Sequence, residues 1–197
     1  MKSSYLKWSS IVVGGCACLA VALYLSRPAT SEATANVEPF EPGIVSGYKH
    51  WTRVNPEPKM VPAPVAALCA PVAATRTDME QGNPHRDKFV VVYVNDTGRA
   101  AMMEQLKPVF PPGSIVVKEK LATKESKEPE LLTVMRKREA GYDPENGDWE
   151  YLVFDGPGKK AQLSGRLFSC KSCHLLKKDT DYVARTYLPS DVSDKLK

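Results

Sequence analysis

Along this chain the apolar positions gather into one long run near the start and four dense, mostly β-branched or aromatic runs in the second half. Phe89 to Asn95 predicts a strand, closed by a turn at Asn95-Asp96-Thr97-Gly98. Ala100 to Leu106, rich in alanine and methionine, predicts a short helix. Pro111-Pro112-Gly113 turns the chain into a second strand from Ser114 to Leu121, where Lys118 and Lys120 share one face and Ile115 and Val117 the other. Leu131 to Arg138 and Trp149 to Phe154 predict two further strands around the turn-rich stretch Gly141 to Asp148. Upstream, Tyr48, Trp51 and Val54 recur at helical spacing and predict a short helix with Trp51 inward. Pro56, Pro58, Pro62, Pro64 and Pro71 predict an irregular crossing with Leu68 and Cys69 tucked beneath it. Strands linked mainly by turns give an α+β fold: a mainly antiparallel sheet with a few short helices against it.

The long apolar run, Ile11 to Leu25, follows Lys2 and Lys7 and reads as a signal peptide or an N-terminal membrane anchor, with residues 8–25 in the membrane. Ala33-Thr34-Ala35 offers a small-x-small cleavage site. Either reading exports the remainder to a periplasmic or other extracytoplasmic compartment. The expected division is a leader or anchor over 1–27, a Ser/Thr/Pro-rich tether over 28–44, a domain over 45–188 and a tail over 189–197.

Composition adds exclusions. A chain of 197 residues has room for one domain and an appendage, and 16 prolines beside 12 glycines argue against an all-helical bundle. The net charge of +4 is too weak to argue nucleic-acid binding. Of five cysteines, Cys16 and Cys18 fall in the apolar leader as ordinary small residues, and Cys69 is left over as a free thiol. No disulfide is expected within the domain.

The remaining pair carries chemistry. Cys170-Lys171-Ser172-Cys173-His174 is the C-x-x-C-H attachment sequence of c-type haem. Its thiols add across the two porphyrin vinyl groups, and the adjoining imidazole is placed to ligate iron, so Cys170 and Cys173 are the attachment residues and His174 the axial ligand of one covalent haem c. A thioredoxin-like pair would sit early in a βαβ unit, and zinc would need further ligands that His50, His85 and Cys69 do not supply at regular spacing. No methionine follows Met135. Met102, Met103 and Met135 read as core residues, and His50 or His85 is an alternative second ligand. The favoured reading is a five-coordinate iron with an open distal side.

Taken in order, several segments resemble the cytochrome P-460 family, which also contains the β-sheet cytochromes c′. They are Tyr48 to Val54; Pro84-His85 ahead of Val91 to Asp96; Phe110 to Ser114 leading to Val117-Lys118-Glu119; Gly141-Tyr142 and Gly147 to Tyr151; Cys170 to His174; and Asp181-Tyr182-Val183. The resemblance implies a β domain with one c-type haem, usually a homodimer, that either oxidises hydroxylamine and passes electrons to a partner cytochrome or binds nitric oxide or carbon monoxide. It further implies a lysine-to-porphyrin link in the oxidising members, which by position falls on Lys118, against a plain reading of Lys118 as a solvated strand residue. Glu119, Glu145 and Asp148 are candidates for taking protons from an iron-bound substrate. Lys171, Lys177 and Lys178 flank the haem motif, where they would attract an acidic redox partner. A plain six-coordinate electron carrier is the third reading.

Overall fold

The computed structural model describes residues 41, 43–61 and 88–196. The leader or anchor, most of the tether, Cys69 and His85 lie outside them. Among the described residues no helix is long and apolar enough to cross a membrane.

The architecture is a mainly antiparallel sheet with a few short helices. Its strands are β1 (Thr52–Arg53), β2 (Lys59–Met60), β3 (Phe89–Val94), β4 (Ile115–Leu121), β5 (Leu131–Lys137), β6 (Trp149–Asp155) and β7 (Ala161–Gly165). Spatial order is β1-β3-β4-β5-β6-β7, with the short β2 also pairing with β3, and every pairing is antiparallel. From β3 onward the order follows the sequence, as expected of strands joined by turns. The helices are α1 (Asp96–Met103), α2 (Phe168–His174) and α3 (Ser190–Ser193).

Both faces of the sheet are covered. One face presents Val92, Val94, Val116, Met135, Trp149 and Tyr151, which pack against Ala101, Met102, Phe110, Tyr182 and Val183. The opposite face presents Val91, Tyr93, Val117, Leu132, Val134, Leu152 and Phe154, covered by Val45 and Tyr48. Double coverage explains why β3 and β6 read as continuous apolar runs instead of alternating apolar with polar positions. The site described below belongs to the first face.

Three sequence expectations are revised. The helix begins at Asp96, not Ala100, because Asn95 is a helix cap: its Oδ1 accepts from Gly98 N at 3.1 Å and from Ile115 N at 2.9 Å, while Nδ2 donates to the Gly113 carbonyl at 2.9 Å. Gly98 inside this helix is a packing requirement, since a Cβ there would stand 2.9 Å from Val94 Cγ2. Around Trp51 the chain makes a 3-10 turn, Tyr48–His50, then strand β1, and the residue turned inward is Tyr48. Finally, β7 extends the sheet beyond β6; its mixed sequence Ala-Gln-Leu-Ser-Gly carries little strand propensity, and pairing to β6 overrides that.

One residue, Asn95, thus joins the end of β3, the start of α1 and the start of β4. Asn95→Ala should lower unfolding free energy by about 2 kcal/mol, the size expected for a lost cap plus unsatisfied backbone groups. Asn95→Asp, which keeps the acceptor oxygen, should recover most of it; urea denaturation measures both.

Candidate functional site

Helix α2 carries the three residues of the attachment motif. Cys170, Cys173 and His174 stand at i, i+3 and i+4, the spacing that puts side chains on one helix face. Both thiols are half-buried and neither forms a disulfide. The helix is held to the turn before β6 by Lys171, whose Nζ lies 2.9 Å from Asp143 Oδ2 and whose side chain is only 24 % exposed. Burial works against the Asp143 carboxylate, but Lys171 and the Asn146 amide, which donates to it at 3.0 Å, hold its pKa below the usual range. Lys171 is therefore committed to an internal ion pair, while Lys177 and Lys178 are exposed.

His174 is oriented by the backbone. Its Nδ1 lies 2.7 Å from the Tyr182 carbonyl. A carbonyl only accepts, so Nδ1 carries the proton and Nε2 keeps its lone pair, the state in which an imidazole binds metal. Burial, together with the charges of Lys118 and Lys177 and against the Tyr182 hydrogen bond, pushes the pKa down to about 4. The ring is thus neutral at neutral pH. The Tyr151 ring lies 5.3 Å from it, tilted by 53°.

That carbonyl is positioned by unusual backbone. Asp181 and Tyr182 both adopt left-handed conformations, with φ of 50° and 64°. For non-glycine residues this costs roughly 1–2 kcal/mol each. The opposing interactions are dense: Lys137 Nζ lies 2.8 Å from both Asp181 carboxylate oxygens, Phe110 N donates to Oδ2 at 2.8 Å, and Trp149 Nε1 donates to the Asp181 carbonyl at 2.8 Å. Tyr182 N donates to Lys177 O at 2.8 Å, and its hydroxyl to the Glu145 carbonyl at 3.0 Å. At about 1 kcal/mol net for a neutral bond and more for a charged one, this set outweighs the strain. Gly147, at φ 64°, leaves room for the Tyr182 ring, which a Cβ would approach to 2.6 Å.

The other sequence-derived candidates separate. Lys118 is half-buried on the same sheet face as His174, between Val92 and Thr133 in register, and close enough for its charge to act on the imidazole. Glu119 points to the opposite face, where it is 5 % exposed and accepts from the Tyr48 hydroxyl at 2.5 Å. Glu145 is exposed in the 3-10 turn Pro144–Asn146. Asp148 shapes that loop, its Oδ1 accepting from Asp143 N at 2.8 Å and Gly141 N at 3.2 Å. These three carboxylates are not brought together with Lys118. Met102 and Met135 are core residues, and His50 is exposed on the turn that covers the other sheet face. Among the described residues no cluster of three or more His, Cys, Asp or Glu assembles.

The residues present fit a covalent porphyrin. Two thiols and an imidazole with a fixed lone pair share one helix face. Phe168 and Leu176 beside them are 84 % and 79 % exposed, apolar surface suited to a flat apolar ring. Tyr151, 2 % exposed, has a buried hydroxyl with no hydrogen-bond partner, and it lies beside the His174 ring. Asp143, Asp181, Tyr182 and Tyr151 had no sequence signal beyond, for the last three, lying in segments of the family resemblance.

The cytochrome P460 family model matches residues 45–185, more than two thirds of the chain. No curated protein matches it.

Two substitutions test the backbone support of His174. Gly147→Ala should destabilise the fold by about 1–3 kcal/mol, the range for strain at a left-handed position plus a steric clash. Trp149→Phe, which removes only the indole N–H, should cost about 1 kcal/mol or somewhat more. Both should also broaden the His174 imidazole resonances in NMR spectra, because both loosen the Asp181-Tyr182 backbone that carries its acceptor carbonyl.

Proposed function

The chain belongs to the cytochrome P460 family, whose members carry haem c, and on that premise we propose an exported mono-haem redox protein acting on small nitrogen compounds, with hydroxylamine as substrate. The observation that carries the reading is the fixed tautomer of His174 on the same helix face as two thiols. Bound there, the haem supplies an iron that takes up a small ligand and exchanges electrons with it.

The protein's own part follows from the geometry. Cys170 and Cys173 would hold the porphyrin to α2 through thioethers formed by adding their S–H groups across its vinyl groups, and His174 would offer Nε2 to the metal. Tyr182 keeps the Nδ1 proton in place, which makes the imidazole a stronger donor. Lys118, facing the same side, is the residue for a third covalent link. Lys177 and Lys178 beside α2 attract an acidic electron acceptor, in keeping with a domain that works outside the cytoplasm, as family members typically do.

One observation favours a second reading, a nitric oxide-binding protein without turnover. The carboxylates expected to relay protons are engaged elsewhere: Glu119 with Tyr48 and Asp148 with its own loop. Lys118 decides between the two. Under the first reading, mass spectrometry of haem peptides shows a cross-link at Lys118 besides Cys170 and Cys173, and the protein sustains hydroxylamine-dependent reduction of an electron acceptor. Lys118→Ala abolishes both while leaving the two thioethers. An unlinked Lys118, with reversible nitrosyl formation and no steady reduction, establishes the second.

A further inference from the structure

Arg185 stands out among the half-buried charges. Its Nε donates to the Met102 carbonyl at 3.1 Å and its Nη1 reaches the Leu106 carbonyl at 3.5 Å. Nη2 is buried without a hydrogen-bond partner. Among the described residues no carboxylate pairs with it: Asp181 is taken by Lys137, and Glu104 by Arg99. Burial alone lowers its pKa.

Binding the Met102 carbonyl in the last turn of α1 and the Leu106 carbonyl just beyond it accounts for two edges of the guanidinium and suits the negative end of a helix. It leaves the third edge unexplained. A buried N–H left unsatisfied on a cationic group is costly, and such groups in native proteins are almost always paired with an anion or a polar atom.

The position suggests the anion. Arg185 lies three positions beyond Tyr182, whose carbonyl holds His174, so the two Cα atoms are no more than about 11 Å apart. Met102, whose carbonyl anchors Arg185, belongs to the same buried cluster against which Cys170 packs. A c-type porphyrin held by α2 would carry two propionate carboxylates, and a guanidinium edge is the preferred protein partner for a carboxylate. We propose that Arg185 is a positioning residue for the cofactor, its Nη2 receiving one propionate carboxylate of the porphyrin held by Cys170, Cys173 and His174. The inference rests on the haem reading given above.

The full chain, matured with haem and labelled isotopically at arginine nitrogens and at the propionate carboxylate carbons, tests it by solid-state dipolar coupling. Expected is a coupling between an arginine side chain and a propionate that disappears in Arg185→Lys with haem retained. In Arg185→Met the midpoint potential should fall, since removing a nearby cation favours the more positive ferric state; a purely structural cap would lower thermal stability and leave the coupling unchanged. Haem-loaded wild-type protein without any such coupling overturns the proposal, as does a coupling that persists in Arg185→Lys. Arg185→Gln, which keeps an N–H for the Met102 carbonyl, is read the same way if the lysine variant loads poorly. Absence of covalent haem in a pyridine haemochrome assay refutes the haem reading instead, so the two failures are told apart.

Discussion

The site depends on one hydrogen bond, from the His174 imidazole to the Tyr182 carbonyl. It selects the tautomer and aims the free nitrogen, while burial keeps the ring uncharged against it. Because the acceptor belongs to the main chain, no side-chain replacement at Tyr182 removes it directly; it changes only when the backbone moves. The backbone in turn is fixed by the left-handed pair Asp181-Tyr182, tied to β5 through Lys137 and to β6 through Trp149. The geometry of the imidazole is therefore a property of the sheet as much as of the helix that carries it.

This arrangement explains what was legible beforehand. The β-branched runs of β3 to β6 announced themselves because both faces of these strands are covered, and the C-x-x-C-H motif because its chemistry demands fixed spacing along one segment. Asp181, Tyr151 and Asp143 were illegible as site residues for the opposite reason. Each acts across a gap in sequence that only the fold closes: Asp181 meets Phe110, Lys137 and Trp149, Tyr151 meets His174, and Asp143 meets Lys171. Asn95 shows a subtler failure. Asn-Asp-Thr-Gly is a turn by composition, and its first residue caps α1 through Gly98 N while also binding the Ile115 N–H and the Gly113 carbonyl, which only the fold brings there.

The same logic governs the charged residues around the site. Lys171 looked like a surface cation and is half of an internal ion pair that fixes α2 against the 141–148 loop. Arg185 looked like nothing in particular and is the cation left with an open edge in the cluster that also receives Cys170. Partnered and unpartnered charges, more than their number, distinguish the scaffold from the working surface.

Alternation along β4 sets Lys118 toward the imidazole and Glu119 toward the Tyr48 hydroxyl. A slip of one residue in the pairing of this strand would exchange them. It would bring a carboxylate to the cofactor face and bury an ammonium against two tyrosines, in addition to turning Val116 and Val117 inside out. The register of the central strand is thus guarded by charge as well as by greasiness, and a misthreaded sheet would announce itself as an electrostatic fault before it became a packing one.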